Sequence, residues 1–396
     1  MPVTVTNARA RADRLVSLDV MRGLVMVLMA LDHVRVYSGL PAGGPAPGIF
    51  FTRWVTHFCA PAFVFFAGTS AFLSGRTRTA SNLSRHLVTR GAWLILIELT
   101  AIRVAWTFNV DYRNYVLAGV IWMLGVCMML LAGLVRLPTW AIATFGLVVI
   151  FAQNIVGALA PLTPESWGWI WQFVYFGGVF RIGENGPFVA VLYSIVPWIG
   201  VMAAGYAFGT IVIREPVARD RLCLRIGLSA TALFVVFGGL AVFLNPAPAG
   251  APPVLLRVLN QNKYPASQLF LLMTLGPTIA LLPLAGRAGP STGLGPGGWI
   301  GDALAVFGRV PLFYYVLHIP VIHAAAVVVS FVREGHVNPW LFGNHPMMPP
   351  RIPDGYTWGL PLLYLVFAGV MAILYTPCRW FAGVKARRTN LLARHL

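Results

Sequence analysis

The chain has 396 residues, of which 58% are hydrophobic and 10% charged, and a mean hydropathy of +0.75, whereas an ordinary soluble domain carries about 25% charged residues. These values exclude a water-soluble monomer, and the length holds about ten membrane helices of ~20 residues with short loops but no soluble domain of ordinary size. The net charge of +17, from 29 basic and 12 acidic residues, is read as cytoplasmic loops facing anionic lipid headgroups, not as a nucleic-acid surface.

In chain order, a basic segment over residues 1–14 (Arg9, Arg11, Arg14) precedes an apolar run at 15–37. That run holds Asp19, Arg22, Asp32 and His33 and ends in no small-residue cleavage site, so it reads as a retained first span and not a signal peptide. Further apolar runs lie at 49–73, 87–108, 116–135, 139–160, 188–213, 222–244, 266–285, 306–331 and 358–381, each long enough to cross ~30 Å of hydrocarbon. Basic loops at Arg76, Arg78, Arg85 and Arg90 and at Arg214, Arg219, Arg221 and Arg225 fall on the side of the N-terminus. So does the tail with Lys385, Arg387, Arg388 and Arg394. The positive-inside rule then places both termini in the cytoplasm. The expected fold is an all-α integral membrane protein, one domain over 1–396, with a helical bundle at 15–381 and basic tail at 382–396. Trp167, Trp169 and Trp171 suit an interfacial belt, and the Gly/Pro-rich stretch 289–298 suits a flexible cytoplasmic connection. Cys59, Cys127, Cys223 and Cys378 sit in or beside apolar runs without CxxC spacing, which argues against a disulfide framework or zinc site.

Polar groups inside spans are expensive and therefore functional candidates. Asp19 and Arg22, three apart, can pair. Arg22 and His33, eleven apart, share a helix face with ~16 Å of axial rise between them. Such a face suits a tunnel through the bundle; the plainer alternative is a snorkelling Arg22 and a hydrogen-bonded His33. Histidine titrates in the range a general base needs, and Asp32 is placed either to orient it or to serve another partner. His57 is equally a base on the outer side or an interfacial cap. Glu98 and Arg103 read as a structural pair. His318, near Tyr314 and Tyr315, is expected in an acceptor pocket, His323 as a satisfied helix histidine, and Asn260, Asn262 and Lys263 on an outer loop that could hold a polar acceptor. No metal site is expected, since the five-residue spacing of His318 and His323 is poor for one.

The segment SLDVMRGLVMVLMALDH at 17–33, with Arg22, ten residues, then His33, resembles the first-span signature of transmembrane acyltransferases of the acyltransferase-3 type. Taken with HFCAPAFVFFAGTSAFL at 57–73, NKYP at 262–265 and GRVPLFYY at 308–315, the chain resembles more closely the bacterial DUF1624 relatives of heparan-alpha-glucosaminide N-acetyltransferase. The resemblance implies an acyltransferase of the bacterial cytoplasmic (inner) membrane, moving an acyl, foremost an acetyl, group from cytoplasmic acyl-CoA to an amine or hydroxyl of a sugar-like acceptor outside. It places His33, Arg22, Asp32 and His57 in the catalytic set, Arg22, Asp19 and Arg76 toward the donor, with Arg78 and Arg90 further charge partners. His318, Tyr314, Asn262 and Lys263 are placed toward the acceptor. In that family the catalytic histidine lies in the loop after the first span, but residues 38–50 here contain none, which leaves His33 and His57. The rival class is a transporter using an intramembrane Arg/His/Asp path; no inverted repeat or matched pair of broken helices supports it. Homo-oligomerisation stays open.

Overall fold

A computed structural model of the chain describes residues 3–44, 46–113, 115–248, 250–287, 298–347 and 350–387. Most of the connection expected at 289–298, and the tail from Arg388, lie outside the described residues. Helix α1 (Val3–Ser38) is followed by α2 (Pro47–Gly75), which opens on a proline and narrows through a 3-10 turn at Val55–Phe58. Helix α3 (Ala80–Ile97) starts where the Thr79 hydroxyl accepts the Asn82 N–H, a side-chain cap that satisfies an otherwise orphaned donor. It continues through a π turn (Glu98–Ile102) to Thr107. Next come β1 (Tyr115–Ala118), α4 (Val120–Leu134), α5 (Thr139–Ala158), β2 (Gly178–Arg181), β3 (Phe188–Val191) and α6 (Trp198–Val212). The second half holds α7 (Pro216–Leu244), α8 (Gln268–Arg287), α9 (Gly298–Arg309), α10 (Pro311–Glu334) and α11 (Leu360–Arg387).

The protein is a mostly helical, multi-pass membrane protein. Among the described residues six helices are long and apolar enough to cross a membrane, namely α2, α5, α7, α8, α10 and α11. That is fewer than the ten expected, for two physical reasons. The expected spans at 116–135 and 188–213 spend their first residues as strands, leaving α4 and α6 only 15 residues each. The strands pair in the order β1-β3-β2, β1 parallel and β2 antiparallel to β3; short runs such as YVLA and FVAV look alike by periodicity whether helical or extended. Helix α1 carries Asp19, Arg22, Asp32 and Arg35, and α3 carries Arg85, Arg90, Glu98 and Arg103, so neither is apolar enough. The run at 306–331 is split too, though it keeps a span in α10. Val310 (φ −127, ψ 51) leaves the helical region, as a residue before proline tends to, and α10 begins at Pro311.

Outward faces carry large apolar side chains, among them Phe243, Val332 and Leu365, as a surface solvated by hydrocarbon requires. Inside, α1 packs on α9, α10 and α11, α2 on α6, α3 on α4, and α7 on α8. Lipid gives apolar helices little reason to associate, so contact depends on how closely backbones approach. A Cβ on Gly23 would strike the Leu304 carbonyl, and one on Gly308 the Asp19 carbonyl. These two glycines therefore let α1 and α9 touch backbone to backbone, which sets the height and rotation of α1.

Gly308→Val should lower the thermal midpoint of the detergent-solubilised protein, since overpacking costs about 1–3 kcal/mol even where side chains can give way. Gly133→Ala, whose added methyl meets nothing within 4 Å, should leave it unchanged. Equal midpoints for the two variants would refute the backbone contact.

Candidate active site

Two polar zones separated by a histidine pair occupy the bundle interior, and α1 runs through all three. At one end the middle of α1, the N-terminal half of α3, the first turns of α4 and α10 and the last turns of α2, α9 and α11 enclose a cavity of about 730 Å³. Arg22, Arg78, His86, Arg90, Arg309 and Lys385 line it with a single carboxylate, Asp19, and its apolar wall includes Met26, Leu94, Leu124 and Tyr315. Arg22 pairs with Asp19 at 3.4 Å and donates to the Ser70 hydroxyl, so the expected i,i+3 pair forms, with α2 as a third partner. Arg78, in the turn after α2, is tied to Ser74 at the end of that helix, and the Lys385 Nζ donates to the Arg309 carbonyl at 3.4 Å. Arg76, expected here, is exposed and does not line the cavity; the turn after α2 directs Arg78 inward instead. Arg309 and Lys385 are cavity residues that sequence reasoning missed.

Deeper along α1, His33 Nδ1 lies 2.8 Å from His318 Nε2. The rings stack with centroids 4.9 Å apart, and Trp106 meets His33 edge-on at 4.9 Å. His318 is fully buried, and its Nδ1 lies 2.6 Å from the Tyr315 carbonyl one turn back. A carbonyl only accepts, so His318 Nδ1 carries the proton and its Nε2 is the acceptor. The His33 Nδ1–H then donates to it, which leaves His33 Nε2 with a free lone pair. The hydrogen bonds thus set both tautomers. Tyr314 stacks on His318 and donates its hydroxyl to the Met26 carbonyl at 2.9 Å, fastening α10 to α1. Tyr315 lines the cavity, so the pair sits one helical turn beyond its inner wall.

Toward the opposite end Asp32 bonds Arg35 at 3.1 Å and lies 3.6 Å from Arg53. It therefore serves arginines and does not orient His33, as the ~100° step between adjacent helix residues requires. His57 is buried within electrostatic reach of Arg53, Lys263 and Asp32, and packs edge-on against Phe270 at 5.5 Å. Lys263 is buried with Nζ over the rings of Tyr193 and Tyr264. Burial raises the Tyr264 hydroxyl pKa, but the charges of Lys263 and Arg53 outweigh it and bring it below the ordinary range. Asn262 is exposed, its Oδ1 accepting from the Tyr264 N–H in a surface turn; Lys263 alone of that pair points inward.

Glu98 and Arg103 do not pair. Buried Glu98 accepts the Ile121 and Trp122 N–H groups at 2.9 and 3.2 Å, capping α4. Buried Arg103 donates to the carbonyls of Tyr115, Asn109 and Asp111 and to Thr107 Oγ1. Beside it His345 stacks on Tyr115 at 3.9 Å, and burial together with the Arg103 charge pushes its imidazole down to about 4. His323 Nδ1 donates to the Ala105 carbonyl at 3.1 Å.

The family model described as heparan-alpha-glucosaminide N-acetyltransferase, catalytic, matches residues 14–246. No curated protein sequence matches the chain. The matched stretch holds Asp19, Arg22, Asp32, His33, Arg53, His57 and Arg90, while Lys263, Arg309, His318 and Lys385 lie beyond it.

Asp32→Ala should destabilise the protein by about 3–5 kcal/mol, the usual cost of stripping the partner from a buried ion pair, because Arg35 and Arg53 both lose their carboxylate. A thermal or denaturant midpoint in detergent measures this. A midpoint within error of wild type would show that the two arginines find another anion.

Proposed function

Because the chain belongs to the heparan-alpha-glucosaminide N-acetyltransferase catalytic family, we propose that this membrane acetyltransferase-like protein moves an acetyl group from acyl-CoA, entering the basic cavity, to an amine or hydroxyl of a sugar-like acceptor arriving from the other side. The observation that carries the reading is the His33–His318 pair, held in one tautomeric state one turn beyond a cationic cavity. Arg22, Arg78, Arg90, Arg309 and Lys385 supply charge for the donor's phosphates, and the apolar wall suits its long arm, with the thioester directed toward Tyr315 and His33. Transfer needs no acyl-enzyme. His33 Nε2 takes the acceptor proton as the acceptor nitrogen or oxygen attacks the thioester carbonyl. The C–S bond breaks, and the leaving thiolate takes that proton from His33, which returns to its neutral form. His318 accepts the His33 Nδ1–H throughout and steadies the imidazolium between the two steps. His57 lies in the cluster around Asp32 and does not line the cavity, so it is not placed for this role.

The same reading sets topology. A cavity rimmed by arginine and lysine belongs on the cytoplasmic side, which puts both termini there and gives ten crossings, α1 and α3 to α6 included and the short α9 left out, in a bacterial cytoplasmic membrane. The shorter α4 and α6 reach across with the help of β1 and β3.

His33→Ala should abolish acetyl transfer with the thermal midpoint near wild type, and His318→Phe should lower kcat by roughly 10²–10⁴, the range of general-base assistance. In the same assay Arg22→Lys, whose point charge cannot replace a planar fork, and Arg90→Gln, which carries no charge, should raise the donor KM and spare the acceptor KM; Arg76→Gln should change neither. Full activity in His33→Ala would remove the mechanism. Reporter fusions at Ala80 and Gly177 should report opposite sides of the membrane, and the same side for both would overturn the topology.

A further inference from the structure

The outer end of α1 gathers more positive charge than its carboxylate can balance. Arg35 and Arg53 share Asp32, at 3.1 and 3.6 Å. Buried Lys263 lies in electrostatic reach of the same carboxylate, its Nζ 5.6 and 5.2 Å from the ring centres of Tyr193 and Tyr264. Among the described residues none of these three cations pairs with a second carboxylate. Three cations against one anion leave a surplus of two, mostly shielded from water, where charge normally persists only when paired. Beside them His57, 8% exposed, keeps a buried Nδ1 with no hydrogen-bond partner. Arg53 and Asp32 retain 12% and 18% of their side-chain surface, and Tyr264 is 37% exposed at the rim, so the cluster is open to a ligand from the end opposite the donor cavity.

We propose that this cluster is an anion subsite, and that the acceptor of the acyl group carries an acidic oxyanion, a carboxylate or a phosphate or sulfate ester. The acidic group neutralises the surplus between Arg53 and Lys263 and holds the acceptor on the side of α1 next to His33. Asp32 remains the brace that keeps both arginines in place when the site is empty. The subsite itself follows from the charge count; its role in presenting an acceptor rests on the acyl-transfer reading.

The test uses the detergent-solubilised full chain at constant ionic strength, with glucuronate and glucose 6-phosphate compared against glucose as probes of its thermal midpoint. Both acids should raise the midpoint saturably and glucose should not. Lys263→Gln should weaken the response by about tenfold or more, the loss of one charge-assisted hydrogen bond. Arg351→Gln, in a fully exposed pair with Asp354, should leave it unchanged. If Lys263→Gln melts too early to titrate, Arg53→Lys, which keeps the charge but not the fork, should show the same weakening. Equal responses to glucose and the acids, or wild-type affinity in both variants, would overturn the proposal. Stabilisation by acetyl-CoA in the same samples separates the two readings: acid binding without it supports the anion subsite and removes the acyl-transfer reading alone.

Discussion

The backbone contact between α1 and α9 is the constraint on which the interior depends. In a solvent of hydrocarbon, helices gain nothing by hiding apolar surface from one another, so their depth of approach decides how well they hold. Gly23 and Gly308 permit that approach beside Asp19 and Arg22, and α1 then carries its polar groups at fixed heights. The rise of 1.5 Å per residue places Arg22 in the cationic cavity, His33 about 16 Å further along and Arg35 about 3 Å beyond. One helix thus spans the cationic cavity, the histidine pair and the cluster around Asp32, and a shift of α1 against α9 moves all three together.

Charge in this interior is handled by different devices at different depths. Glu98 is spent on two N–H groups at the start of α4, a helix end where negative charge is favoured. Arg103 has no carboxylate among its contacts and is satisfied by loop carbonyls and two tyrosine faces. Arg22 divides its donors between Asp19 and a serine on α2. Beside these arrangements, the cation surplus around Asp32 stands apart as a place where the carboxylates of the described residues do not supply the counter-charge.

Much of this was legible in the sequence, and the limits have physical causes. The face shared by Arg22 and His33 follows from helix geometry alone, as does the Asp19–Arg22 pair. That His33 meets His318 does not, because the two are 285 residues apart and only the packing of α10 on α1 joins them. Arg309 and Lys385 were hidden by the same rule from which orientation is read: a basic residue at a span end looks like a topology signal whether or not it lines a cavity. Arg76 and Arg78 illustrate the converse, as two residues of rotation in one turn decide which faces the cavity. The glutamate and arginine of α3 looked like partners across a turn, yet each found backbone groups on a neighbouring loop or helix. The strands at Tyr115–Ala118 and Phe188–Val191 were lost inside apolar runs that a window of span length cannot divide.

The tautomeric order of the histidine pair has a bearing on the membrane's own energetics. On the acyl-transfer reading the site is reached from both faces of a bilayer, and such a site risks becoming a wire for protons, which would dissipate the ion gradient the membrane exists to maintain. A wire needs every nitrogen free to receive on one side and release on the other. His318 breaks that condition, because its Nδ1–H is bound to the carbonyl of its own helix, a group that cannot pass a proton on. The relay therefore ends blind at His318, and a proton taken up at His33 Nε2 leaves from that same nitrogen.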